Sequence, residues 1–373
     1  MELTDIRLRK ILYRIESCVM TIGTDVTFEV PKAMISSISI DNNYETSMFP
    51  FFYMGINLPS WVYIELTKHP DDVHISLDLK AHTFENNAQE NPVGTFTEYK
   101  GKYKAITAVD TPVTDEKIQT GLSKESGSWK KSYEYGEIYF AEFTLYNEDS
   151  FKAMSKTLNA VISSATMTSI VAYALQYGGI KNVLMSPLDN RNTYSEFKVW
   201  PINAVDVIKT LIYNYKLHNG GTVFFMDLDR AFLISKQIKC TAWSKSEYKT
   251  VHVMCLSNYN ETLGTSNGYY VNDKDHYHLL NIEAGGFELN DNSNLPSSQT
   301  NQPIPGKGKI LTFRTSAALM ECFTPNKEFI VDIDSSSAQA AKINGHYRVI
   351  RTTLNLTQSG EYMQPEFHVF LWQ

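Results

Sequence analysis

The sequence predicts an α+β fold rich in β-structure, with strand-dominated ends around a middle that contains helices. Tyr, Phe and Trp gather in short alternating runs bounded by turn residues over the first hundred positions and the last sixty. One amphipathic helix stands out at residues 203–218, and polar stretches without sustained period fall at 111–135 and 290–308. A chain of 373 residues, 43% hydrophobic and 20% charged, has the composition of a soluble globular protein and the length for two or three domains.

The elements follow in chain order. Residues 35–40 alternate Ile and Ser and run into Asp41-Asn42-Asn43, which predicts a strand and then a turn. Residues 61–66 read as a second strand, stopped by Lys68-His69-Pro70-Asp71. Residues 73–79 place Val73, Ile75, Leu77 and Leu79 on one face, the pattern of an antiparallel strand with one wetted side, as in a barrel or sandwich. The polar run 111–135 reads as a long exposed loop that divides two domains. Residues 138–146 form a further strand, after which Glu148-Asp149-Ser150 offers caps for a helical stretch that ends at Gly178-Gly179.

In the helix at 203–218, Ala204, Val207, Ile208, Leu211, Ile212 and Tyr215 keep the i, i+3, i+4, i+7 spacing. Asn203 caps it, Asp206 favours the dipole in the first turn, and Gly220-Gly221 supplies a left-handed stop. Residues 223–226 and 231–234 are two strands around the turn Asp227-Leu228-Asp229-Arg230. Residues 290–308, almost all Asn, Ser, Gln, Pro and Gly, cannot bury enough apolar area to offset their ordering entropy and read as a surface loop or arm. Residues 345–350 and 367–372 are closing strands.

Charge and motifs exclude several function classes. Lys plus Arg total 34 against 41 Asp plus Glu, and the net charge of −7 opposes a dedicated nucleic-acid binder. No apolar stretch approaches the roughly 20 residues a membrane span needs, and the N-terminus lacks a secretory signal, so synthesis in a cytoplasm is expected. Cys18, Cys240, Cys255 and Cys322 show no CxxC spacing and read as reduced, buried thiols.

His276 and His278 in Asp275-His276-Tyr277-His278 would share one face of a strand, but no third metal ligand accompanies them. Asp227 and Asp229 have the spacing of paired carboxylates, yet hairpin turns favour Asp for its backbone hydrogen bonds, and the turn reading is preferred. GxSxG, Walker and GxGxxG motifs are missing, and Gly306-Lys307-Gly308-Lys309 has no strand and helix to make it a phosphate cradle. The aromatic stripe Phe49, Phe51, Phe52 and Tyr53 reads as core in preference to a stacking platform, since no basic residue interleaves it. No residue is assigned a catalytic, cofactor-binding or metal role.

One resemblance covers residues 167–236: TMTSIVAYALQYGGIKNVLMSPLDN, then a capped helix ending YNYKLHNGG, then TVFFMDLDRAFLISK. In order, spacing and residue types this region resembles the central hub protein of tailed-phage baseplates. There a helix leads into a strand and a turn like Ser186-Pro187-Leu188-Asp189-Asn190, and a second helix precedes a hairpin like Phe224-Phe225-Met226-Asp227 with Phe232-Leu233-Ile234.

The resemblance implies two tube-like antiparallel β-barrels around an α/β middle: a first barrel at 1–110, a middle domain at 111–218, and a second barrel at 219–373 with an inserted segment at about 240–308. It implies a structural virion protein, a homotrimer that joins the six-fold tail-tube ring to a three-fold central spike and lines the channel for genome ejection. DNA would pass without specific binding, and other baseplate proteins would dock on it. With the sequence ending at Gln373, a separate spike chain is implied. The polar runs 111–135 and 290–308 would be its interlocking arms. The hub of a bacterial contractile injection system and a β-rich carbohydrate-active tail enzyme are the alternatives.

Overall fold

The computed structural model describes residues 9–85, 92–107, 138–180, 182–227, 230–237, 250–255, 268–272, 288–291, 309–316, 318–333 and 343–373. Both polar runs lie outside these residues, apart from Asn290 and Asp291, which end a short strand.

The alternation at 73–79 belongs to a longer strand, β5 (Val73–Glu85), whose Val73, Ile75, Leu77 and Leu79 are buried. On one side β5 pairs antiparallel with β1 (Arg9–Ile22), and β2 (Val26–Glu29) pairs with β1 as a side branch. On the other side β5 pairs with β6 (Gly94–Thr107), and β6 with β7 (Ile138–Asn147). The order continues through β4 (Phe51–Pro59) and β3 (Ile35–Asn43). β18 (Gly345–Ser359) and β19 (Tyr362–Trp372) then close the circuit, β18 against β3 and β19 against β1. The result is an eight-strand closed antiparallel barrel, β-rich within an α+β chain as the sequence predicts. Closure removes free sheet edges, and an eight-strand barrel is just wide enough for its own side chains to fill. Here Tyr13, Ile56, Phe52, Phe143, Leu354 and Phe367 are among those inside.

This circuit reaches past residue 110, because β7 and the two C-terminal strands are among its eight members. β18 and β19 are also long enough to serve a second sheet, ordered β14-β13-β17-β18-β19-β16-β15. Its added strands are β13 (Thr250–Cys255), β14 (Gly268–Asn272), β15 (Glu288–Asp291), β16 (Lys309–Thr315) and β17 (Glu328–Ile333). β18 changes partner along its length. Residues from Gly345 to Arg348 pair with β17 and those from Arg351 to Leu356 with β3, and the register shifts between Val349 and Arg351. A bulge of this kind bends and twists a strand, which redirects it between two sheets. The carbonyl of Ile350, at that shift, accepts from the Tyr44 backbone N–H at 3.0 Å.

Two local readings are corrected by the structure. Residues 61–66 are not a strand but lie in α1 (Ser60–Lys68), where Val62 and Leu66 fall at i, i+4 and are buried while Trp61 and Ile64 face solvent. Apolar residues on both alternate faces of so short a run fit strand and helix templates equally. The helical stretch expected from 148 to 178 is two helices, α2 (Glu148–Ser155) and α3 (Met167–Gly178), separated by β8 (Ala160–Thr166). β8 pairs with β10 (Thr193–Val199). In addition, Asp41, Asn42 and Asn43 continue β3, and their backbone groups pair with β18, so the turn begins later.

The middle region packs α2, α3 and α4 (Ala204–Tyr215) around Ile170, Val171, Ala174, Val207, Ile208 and Leu211. The Asn203 side chain caps α4 by accepting the Asp206 N–H at 2.8 Å, and Asp206 stands in the first turn as expected. The stop comes earlier than the glycines, at Lys216, which is left-handed with φ 45°. Asn203→Ala should cost about 1 kcal/mol by leaving a helix donor unsatisfied. Urea denaturation checks this, and an unchanged midpoint would remove the cap from the stability of the region.

Candidate functional site

The hairpin expected around residue 227 is where the two halves of the molecule meet. Its strands are β11 (Thr222–Asp227) and β12 (Arg230–Ser235), and β12 also pairs in parallel with β9 (Asn182–Met185). Alternate side chains enter different cores. Val223, Phe225, Phe232 and Ile234 join the barrel core, while Phe224, Met226, Ala231 and Leu233 join the middle core. Successive strand residues point to opposite faces, so a strand segment buried on both sides must be apolar at every position, and residues 223–226 and 231–234 are.

Asp227 lies at the end of that hairpin beside the barrel tyrosines Tyr44, Tyr99 and Tyr103. Burial, and after it the Asp227 charge, pushes all three phenols well above the ordinary tyrosine range. Asp227 Oδ2 accepts from Arg230 Nη2 at 3.4 Å, the two residues facing each other as the last register pair of β11 and β12. Asp229, Asp275, His276, Tyr277, His278 and residues 306–308 lie outside the described residues, and Lys309 opens β16. Among the described residues no group of three or more His, Cys, Asp or Glu is placed to hold a metal ion. Cys18 is buried in the barrel wall, which pushes its thiol up to about 12.

A polar seam ties the same hairpin to the shared strand β18. Arg348 is 1% exposed, and its Nη1 donates to Glu45 Oε1 and to Asn326 Oδ1, each at 2.8 Å. Lys236 Nζ donates to Glu45 Oε2 at 2.6 Å, and the Trp372 ring lies 4.5 Å from the Arg348 guanidinium carbon. Burial pushes the Glu45 carboxyl up, but the Arg348 and Lys236 charges outweigh it and hold the group below its ordinary value.

From Asn326 the seam runs on through Ser235, whose carbonyl accepts from Nδ2 at 3.0 Å and whose N–H donates to Ser186 Oγ at 2.9 Å. Ser186 Oγ lies 2.9 Å from His218 Nε2, and His218 Nδ1 lies 2.9 Å from Thr222 Oγ1. Burial lowers the His218 pKa and keeps the ring neutral, which suits one nitrogen donating and the other accepting. Ser186 and His218 are 2% and 3% exposed, so the pair works as an internal latch between β9, the end of α4 and the hairpin. Sequence reasoning missed this seam. Its members are scattered, Arg348 and Glu45 being 303 positions apart, so no local pattern marks them.

The aromatic stripe expected to be core divides by parity. Phe52 points inward at 2% exposed and meets Tyr99 and Tyr103 edge-on at 5.5 and 5.4 Å. Phe49 packs half-buried against the middle core. Phe51 and Tyr53, however, point outward, 40% and 48% exposed, with rings stacked at 6.5 Å. The core reading therefore holds for Phe52 and is corrected for Phe51 and Tyr53, because neighbours on a strand cannot share a face. Tyr53 opposes Thr144 on β7, which opposes the exposed Ile106 on β6, so the apolar surface spans three strands of the barrel wall.

These features define a structural class: an α+β protein whose closed antiparallel barrel shares two long strands with a second sheet and is locked to an α/β middle by a two-faced hairpin. The chain belongs to the family described as bacteriophage PBS1 gene 109 protein, which matches residues 3–285. No curated protein matches it in sequence.

Among solved structures it is similar to a tail protein from Neisseria meningitidis MC58, at 9% identity and TM-score 0.41, covering 97% of this chain and 96% of that one. It is also similar to the 43 kDa tail protein of prophage MuSo2 from Shewanella oneidensis, at 8% identity and TM-score 0.42, covering 95% and 96%. A chain of the PdpA–VgrG complex, described as lidless, gives 8% identity and TM-score 0.46, with 98% of this chain covered. This chain spans 65% of the length of that one, and 58% in the half-lidded form from Francisella.

Proposed function

We propose that this chain is a non-enzymatic structural protein of the phage tail, located in the virion baseplate. It is a hub that assembles as a homotrimer and joins the six-fold tail tube to a three-fold central spike. The observation that carries this reading is the closed barrel sharing β18 and β19 with a second sheet, which supports two tube-like barrels per chain. Three such chains present six barrels to a six-fold ring. Membership of a bacteriophage family and the resemblance of residues 167–236 to baseplate hubs support it further.

The barrel is filled by its own side chains, so a channel for DNA runs between chains and not through a barrel. The net charge of −7 suits a wall past which a polyanion slides without sticking. Among the described residues no helix is long and apolar enough to cross a membrane. The division into a first barrel, an α/β middle and a second barrel with its insert at about 240–308 belongs to this proposal. So do the assignment of the polar runs as arms and the docking of a separate spike and other baseplate proteins.

The exposed Phe51, Tyr53 and Ile106 give the barrel wall an apolar face suited to a lateral neighbour. Electron microscopy and mass measurement of the purified chain test the reading. A three-fold ring is expected, and a strictly monomeric chain at assembly concentrations would overturn it. The double substitution Phe51→Ser with Tyr53→Ser is expected to leave the melting temperature within a few degrees, as surface changes do, while shifting the ring toward monomer. An unchanged ring would place the lateral contact elsewhere.

A further inference from the structure

The small sheet that carries the hairpin runs in the order β11-β12-β9 and, unlike the barrel, has two edges. At the β11 edge the Met226 N–H donates to the Met48 carbonyl at 2.7 Å. At the β9 edge no further strand pairs among the described residues.

One bond fixes the direction in which β9 turns its backbone. The Ser186 N–H donates to the Leu233 carbonyl at 3.1 Å, and in a parallel ladder the N–H and C=O of one residue point to the same side while those of its neighbours point to the other. Leu184 therefore faces β12 as Ser186 does, and Val183 and Met185 turn their N–H and C=O groups to the open side. Among the described residues these four groups meet no backbone partner. An unpaired strand edge is a template for another strand, and native edges are commonly blunted by a charged side chain, a proline or a bulge. Residues 182–185, Asn-Val-Leu-Met, pair with β12 in unbroken register and hold none of these.

The side chains of the same two residues line a groove. Leu184 packs against the barrel core and Met185 against the middle core, so Val183 and Met185 share the face that looks toward α3. Between that face and α3 lies an open groove of about 560 Å³, lined by Val171, Ala172 and Gln176 of α3, by Ile180 after it, and by Val183 and Met185. These side chains are uncharged, and Val183 is 36% exposed. A strand laid along β9 continues the sheet and hangs its alternate side chains over α3, into this groove.

The geometry points to strand addition: β9 receives an extended segment of a partner protein, whose backbone bonds to the N–H and C=O groups of Val183 and Met185 and whose apolar side chain fills the groove beside α3. The backbone bonds supply affinity, and the groove selects an uncharged segment that is apolar at alternate positions. The inference goes beyond the hub reading and does not rest on it, since one sheet of one chain carries it.

Fluorescence anisotropy of the full chain with a fluorescein-labelled Thr-Val-Thr-Val-Thr amide, and with the same peptide N-methylated at every residue, tests this. The unmodified peptide is expected to bind saturably below millimolar concentration and to slow amide hydrogen exchange at 182–185. The N-methylated peptide keeps the side chains but has no donors, and no binding is expected. Val183→Pro removes an outward N–H, a place where an edge strand accepts proline. It should melt within a few degrees of the parent and weaken peptide binding roughly tenfold, the equivalent of about one backbone hydrogen bond. Leu184→Pro, whose N–H faces β12, should melt far lower. Ala172→Phe, at an exposed position of α3, fills the groove and should weaken binding as much with the fold intact. The proposal is overturned if the peptide does not bind, if the N-methylated peptide binds as well, if Val183→Pro is as damaging as Leu184→Pro, or if a folded variant binds as tightly as the parent. Exchange at 182–185 that slows as the concentration of the chain alone rises would give the edge to a second copy and overturn a separate partner.

Discussion

Glu45→Ala is expected to lower the unfolding free energy by about 3–5 kcal/mol, because it strands two cations in a buried site. Among the described residues Arg348 is the largest fully buried side chain, and its Nη1 donates to Glu45 Oε1 at 2.8 Å. Lys236, with 16% of its side chain exposed, loses the partner of its 2.6 Å bond at the same time. The cost comes from the charges left behind and not from the worth of the pair itself. Joint replacement by Glu45→Leu and Arg348→Met should therefore be much less damaging than Glu45→Ala alone.

A pH series gives an independent check. The Glu45 carboxyl is held below its unfolded value, so its contribution is complete above the unfolded carboxylate pKa of about 4.3 and is lost as the pH falls through the folded value. The stability gap between parent and Glu45→Gln should accordingly hold constant from neutral pH down to the unfolded carboxylate pKa and narrow as the pH falls further. Equal urea midpoints for parent and Glu45→Ala at pH 7 would mean that the seam does not hold the hairpin to β18.

What the sequence disclosed follows the range of the interactions involved. The α4 helix and the β11–β12 hairpin are readable because their determinants are local: a cap three residues from its donor, a stripe with helical period, and turn-forming residue types between two apolar runs. The same is true of β5, whose wetted face leaves a clean alternation. The stretch around Trp61 fails for the opposite reason, since its apolar residues on both faces leave only the burial of Val62 and Leu66 to decide for a helix.

Barrel closure was legible only through resemblance. It depends on pairing β3 with β18 and β1 with β19, which joins opposite ends of the chain, and no local pattern encodes it. The seam was illegible in the same way. Asp227 has the sequence signature of a turn residue and is the last residue of β11, yet its placement among Tyr44, Tyr99 and Tyr103 depends on which face of the hairpin enters the barrel.

Leu211→Asp should abolish soluble protein. Leu211 is fully buried at the centre of the middle core, on the same stripe of α4 as Ala204, Val207 and Ile208. An aspartate there either buries an unpaired carboxylate or takes up a proton, and either route costs several kcal/mol, comparable with the ~5–15 kcal/mol that holds a domain together. The middle core is also the surface against which Phe224, Met226, Ala231 and Leu233 of the hairpin pack, so its loss detaches the element that carries Val223, Phe225, Phe232 and Ile234 into the barrel.

Two companions separate burial from helix propensity. Leu211→Ala keeps a strong helix former and should cost about 2–5 kcal/mol through the cavity it leaves, enough to lower the melting temperature without preventing expression. Tyr213→Asp, on the opposite face of the same helix at 69% exposed, should change stability by no more than about 0.5 kcal/mol. Normal yield and melting temperature for Leu211→Asp, or a loss from Tyr213→Asp as large as that from Leu211→Ala, would remove α4 from the core and with it the support on which the two-faced hairpin rests.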